Sequence, residues 1–118
     1  MKYLCLVYHE EEKIAALPAS DYAAIMNDVL AYREELRLRG HYIASSPLQP
    51  VRTAATIRVR DGKASITDGP FAETKEQLGG FYLIEARDLN EAIRLASEMP
   101  PARVGSIEVR ALDEAGPR

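Results

Sequence analysis

Three side chains in this 118-residue chain have the type and setting that suit proton transfer: Asp68, His41 and Glu73. Asp68 ends an alternating strand pattern and is followed by the turn-forcing pair Gly69-Pro70. On the apolar side of a hairpin, such a carboxylate can act as a general acid or base. It can equally cap the turn by accepting backbone N–H groups, as Asp commonly does. Glu73 and Glu76, with Lys75 between them, can form a polar pocket rim, and a solvated charged loop explains each of them just as simply. His41, just after Gly40, supplies an imidazole able to give or take a proton, or to cap a helix end. Tyr8, Tyr42, Phe71 and Phe81 are candidates to line a small-molecule cavity, and core packing is the competing reading of all four. His9 precedes Glu10, Glu11 and Glu12, but consecutive residues do not aim several donors at one ion, so a solvated strand end is expected and no metal is assigned.

The elements that must position these groups follow from periodicity. Tyr3 to Tyr8 is continuously apolar, as a strand covered on both faces would be. Tyr22, Ile25, Met26, Val29, Leu30 and Leu36 recur at helical spacing, with Ser20 as N-cap and Gly40 as stop. Arg37 and Arg39 in the last turn complement the helix dipole. His41 to Ser45 is a second strand, closed by Ser46-Pro47. Thr53 to Arg60 alternates up to Asp61-Gly62, a two-residue turn whose central positions both need positive φ. That turn fixes a register: Val59 faces Ala64, Arg58 faces Ser65, Ile57 faces Ile66 and Thr56 faces Thr67. One step further, Asp68 falls opposite Ala55 on the apolar, core-facing side. Thr74 to Gln77 is expected to make one helical turn, and Gly79-Gly80 to release the chain into a strand over Phe81 to Ala86. A second helix is expected over Asp88 to Met99, ended by Pro100-Pro101, and a last strand over Val104 to Leu112.

Composition narrows the function classes. The net charge is -3, from 15 Lys and Arg against 18 Asp and Glu. These are mixed along the chain, so no basic face is available for nucleic acid. The single cysteine, Cys5, lies in an apolar run and is expected as a small buried hydrophobe. No signal peptide or membrane-length apolar stretch is apparent, and a cytoplasmic location is expected. Walker, Rossmann, nucleophile-elbow, paired CxxC and HExxH patterns are all absent, and no cofactor is expected.

Strand, helix, strand, hairpin, strand, helix, strand is an α+β order: ferredoxin-like βαββαβ with an extra central hairpin, in one domain over residues 1–112 with a frayed tail at 113–118. Two amphipathic helices cover one face of such a sheet. The first strand and Phe81 to Ile84 are apolar on both faces, so a symmetric homodimer, sheet against sheet, is expected.

The run Asp68-Gly69-Pro70-Phe71, continuing through Glu73-Thr74-Lys75-Glu76-Gln77-Leu78-Gly79-Gly80-Phe81-Tyr82, resembles the signature of the bacterial YCII-related, or DGPF-domain, family. Met1-Lys2-Tyr3, Leu48-Gln49-Pro50, Arg58-Val59-Arg60-Asp61-Gly62 and Gly105-Ser106-Ile107-Glu108-Val109-Arg110 extend the likeness over nearly the whole chain. The resemblance implies a dimeric α+β barrel and a link to extracytoplasmic-function sigma-factor pathways. Two functions remain open. One is a small pocket protein acting as a sensory or regulatory module in such a pathway. The other is a cofactor-independent lyase, isomerase or oxygenase acting on a small molecule, with Asp68 as acid or base assisted by His41 or Glu73.

Overall fold

The computed structural model describes residues 1–115. Four strands, β1 (Lys2–His9), β2 (Tyr42–Pro47), β5 (Gln77–Glu85) and β6 (Ser106–Ala111), form one antiparallel sheet in the order β2-β5-β1-β6. This is the ferredoxin-like order expected from the sequence. Strands β3 (Ala55–Arg60) and β4 (Lys63–Asp68) pair only with each other, as a separate two-stranded sheet. Their register is the expected one, from Val59 opposite Ala64 to Ala55 opposite Asp68. Both turn residues have positive φ, 52° at Asp61 and 73° at Gly62, as the hairpin's twist demands.

Three helices accompany the sheet: α1 (Glu11–Ala15), α2 (Ala19–Leu38) and α3 (Leu89–Ser97). Alternation along β1 and β5 sends Tyr3, Cys5, Val7, Tyr82 and Ile84 to the helix side, where they meet Tyr32, Leu36, Ala92, Leu95 and Met99 in one core. Cys5 is buried there. The other set, Leu4, Leu6, Tyr8, Phe81 and Leu83, points to the opposite face, where no helix lies, and remains half-buried. The sheet therefore has one dry face and one open apolar face.

Several expected details are corrected. α1 was not foreseen, because its five residues carry too short a pattern to read. α2 starts at Ala19 behind Pro18, and Ser20 is not its N-cap. Asp88 caps α3, accepting from the Glu91 N–H at 2.9 Å. Residues 74–77 form no helical turn. Gln77 and Leu78 instead pair with His9 and Tyr8, because extending an existing ladder avoids the cost of nucleating an isolated turn. The hairpin is exposed at every position but the half-buried Thr56, so Asp68 does not face a core within this chain. The expected frayed tail lies partly outside the described residues. Inside them, Leu112 donates to the Lys2 carbonyl at 3.0 Å and the Lys2 N–H donates to Glu114 at 3.3 Å.

The molecule is a slab of 48 × 43 × 19 Å, thin enough for one sheet and one helix layer. Its radius of gyration is 16.3 Å, against about 13–14 Å for a compact chain of this length. No described helix is long and apolar enough to cross a membrane.

Candidate functional site

The β1–β5 ladder carries a bulge at its outer end. Val7 pairs with Gly80 and Tyr8 with Leu78, so Gly79 is the extra residue on β5, and its carbonyl turns aside to accept from Leu48 N–H at 2.8 Å. Bulges of this kind bend a strand and re-aim its side chains. Here the bulge makes room for His9, the last residue of β1. A Cβ built on Gly79 would fall on the His9 ring, 2.8 Å from Nε2 and 2.9 Å from Nδ1. On the other flank, a Cβ on Gly105 would lie 3.1 Å from the His9 Cβ. The imidazole thus occupies the space over Gly79, where a side chain would displace it, while Gly105 packs against the Tyr8 carbonyl and the His9 Cβ.

His9 opens into a groove of about 670 Å³ between α1, the first half of α2 and residues 48–52. Ile14, Leu17, Tyr22, Leu48 and Pro50 give it apolar walls, and Glu11, Glu12 and Arg52 give it charge. Glu11 ties the walls together. Its N–H donates to Gln77 Oε1 at 3.0 Å, and its Oε2 accepts from the Val51 N–H at 3.0 Å. That carboxylate is therefore a strut. Among the described residues, the His9 ring makes no hydrogen bond and the Arg52 guanidinium meets no carboxylate within salt-bridge distance. A cleft that combines apolar walls with free polar groups is a form that small-molecule sites take. A second groove, of about 410 Å³ between α3 and β6, is lined by Leu89, Ile93, Ala96, Ile107 and Val109 with only Ser97 polar, and offers little to orient a ligand.

The side chains singled out in the sequence lie elsewhere. Asp68 is exposed at the end of β4, and Glu73 is exposed in the loop that follows. His41 sits at the far end of β5 from Gly79, its Nδ1 2.8 Å from the Glu85 carbonyl. Tyr8 and Phe81 share the open sheet face, whereas Tyr42 packs on the core with its hydroxyl 2.9 Å from Ser45 Oγ. Phe71 projects into solvent, 77% exposed. None of these seven lines the His9 groove. Glu76 accepts from Ser106 Oγ at 2.7 Å and so braces β6. The sequence holds one pointer to the His9 setting: paired glycines at the start of a strand also mark a close approach of another chain segment.

A four-stranded antiparallel sheet in the order β2-β5-β1-β6 with helices on one face defines an α+β, ferredoxin-like fold. Residues 1–115 match the YCII-related domain, and the chain belongs to that family. It is 39% identical over 114 residues to an uncharacterized protein of Rhizobium meliloti (strain 1021), an alignment covering 95% of this chain and 92% of the relative. Its fold is similar to that of 5-chloro-2-hydroxyhydroquinone dehydrochlorinase (TftG) from Burkholderia phenoliruptrix AC1100, solved in complex with 2,5-dihydroxybenzoquinone. The TM-score is 0.54 at 18% identity, over 96% of this chain and 94% of the other.

Proposed function

We propose that this protein is a cofactor-independent acid–base enzyme acting on a small, anionic, ring-containing compound bound in the His9 groove. The observation that supports it is the His9 imidazole, seated against Gly79, free of hydrogen-bond partners among the described residues and lining the same cleft as Arg52, which has no salt-bridge partner among them. An imidazole so placed can remove a proton from substrate carbon or hydroxyl. The anion that results is held by the Arg52 cation, against apolar walls that strengthen the attraction. Return of the proton at another atom gives isomerisation, and expulsion of a leaving group gives elimination. The dehydrochlorinase named above supports a reaction of this type only as an analogy of fold.

The active form in this reading is a homodimer. The chain exposes 8339 Å², about 1,900 Å² more than a folded monomer of 13.1 kDa is expected to expose. That surplus is of the size one protomer loses in an obligate dimer. The open face bearing Leu4, Leu6, Phe81 and Leu83 is the natural place to lose it.

The test is a thermal-shift screen of small ring carboxylates and phenols, followed by incubation of each binder in deuterated water. The wild type is expected to incorporate deuterium or release product, and His9→Gln to bind the same compound with turnover reduced at least about 100-fold. Binding without exchange or product in the wild type would leave a ligand-sensing module and remove the enzyme.

A further inference from the structure

We infer that the β3–β4 hairpin is a dimerisation arm whose apolar side, together with Phe71 of the Asp68-Gly69-Pro70-Phe71 signature, seats on a second copy of this chain. This rests on the homodimer proposed above and assigns it a contact that the sheet-to-sheet packing does not include.

The hairpin touches little of its own chain. It pairs with no strand of the main sheet, and its Ile66, Ile57 and Val59 are 71%, 64% and 59% exposed. In a two-stranded ribbon, residues directly opposite each other share a side, so Ile57 with Ile66 and Val59 with Ala64 make one continuous apolar stripe. Arg58, opposite Ser65, and Thr56, opposite Thr67, occupy the reverse side. One side of the ribbon thus carries the apolar stripe, which ends at Asp68 opposite Ala55, and the other carries Arg58, Ser65 and the threonines. An isolated hairpin with such a stripe is marginally stable in water, and its free edges invite aggregation unless something covers them.

The signature residues fasten the base of this ribbon. The Gly69 N–H donates to the Ala54 carbonyl at 2.7 Å, and Thr56 Oγ1 donates to the Gly69 carbonyl at 2.9 Å. These bonds carry the ladder one step past Asp68 before Pro70 ends it. The motif therefore closes the arm at its root and leaves Phe71, 77% exposed, just past the end of the ladder. A large aromatic held out in this way is the side chain that most often anchors an interface.

Three features select a second copy as the occupant. The surplus exposed area is that of one obligate-dimer protomer, and the open sheet face of this same chain supplies apolar surface of matching chemistry. The arm also carries Arg58, Arg60 and Lys63 against Asp61 and Asp68, one net positive charge, whereas the chain as a whole stands at -3, so the body that receives the arm is acidic. Finally, the arm leaves the body at Ala54, shortly after the edge strand β2, so it departs from an edge of the main sheet.

The experiment is the mass of the full chain by light scattering at micromolar concentration, for the wild type, Ile57→Asp with Ile66→Asp, and Leu6→Asp, with circular dichroism to verify folding. A dimer is expected for the wild type. The arm variant is expected to stay folded and to dissociate at least about 100-fold more readily, since each substitution acts twice across a two-fold axis. A photo-crosslinking residue at Phe71 is expected to capture a second copy, doubling the mass. A wild-type monomer would overturn both the dimer and the arm, and would point to another protein as occupant. If Leu6→Asp splits the dimer while the arm variant and the Phe71 cross-link leave it unchanged or uncaptured, the dimer stands and the arm assignment falls.

Discussion

The His9 imidazole fills the space that any side chain at residue 79 would need, with Nε2 2.8 Å and Nδ1 2.9 Å from the position of a Gly79 Cβ. The two residues are seventy positions apart and meet because β5 carries its extra residue at that point of the β1 ladder. The ring is held by shape against Gly79 while its nitrogens make no hydrogen bond among the described residues, a form of preorganisation that costs no hydrogen bond.

Gly79→Ala is therefore expected to push the ring out of its seat. The fold should survive with a loss of about 1–3 kcal/mol, because the methyl meets a side chain and not backbone. Ligand affinity in the groove should fall at least about tenfold. Paired melting and binding curves check this, and an unchanged affinity would separate His9 from the site.

Burial pushes the Cys5 thiol from its ordinary 9.0 up to about 11. In the folded protein, thiol reagents at pH 8 should leave it unmodified until the chain unfolds. A raised value means that the unfolded thiol ionises first. Its contribution to stability is full below pH 9 and disappears as pH rises through about 11. Melting temperature should decline across that window, and less steeply in Cys5→Ala. Burial also raises the Tyr82 hydroxyl, which adds to the same alkaline loss.

The hairpin was legible because Asp61-Gly62 dictates both φ values and therefore every cross-strand pair up to Asp68. What those pairs face was not legible. Alternation tells which residues share a side, but only the separation of β3 and β4 from the main sheet shows that neither side is covered within the chain. The strand and helix order gave the fold class for the same local reason. Beside three glutamates in sequence His9 reads as a solvated strand end, because its setting depends on Gly79, seventy positions away. Shape complementarity between distant segments leaves no periodic trace.

Tyr32 donates to the Leu95 carbonyl at 2.7 Å and joins α2 to α3. Tyr32→Phe removes only the hydroxyl, so a loss of about 1–2 kcal/mol is expected. That corresponds to roughly 4–8 °C in melting temperature at this chain length. No effect would mean that the bond contributes nothing beyond what water supplies.

Asp88 caps α3 at 2.9 Å through the Glu91 N–H. Asp88→Ala should cost about 1 kcal/mol, and Asp88→Asn much less, because an amide oxygen can still accept that bond. Denaturant melts of the two variants separate capping from charge.

The chain contains two histidines, His9 and His41, so a ring-labelled sample reports the site without ambiguity. Imidazole resonances would be followed by NMR while a binder from the thermal-shift screen is titrated in. The account predicts that the His9 signals move in proportion to occupancy while those of His41, at the other end of β5, stay in place. Saturating ligand with an unmoved His9 would contradict it.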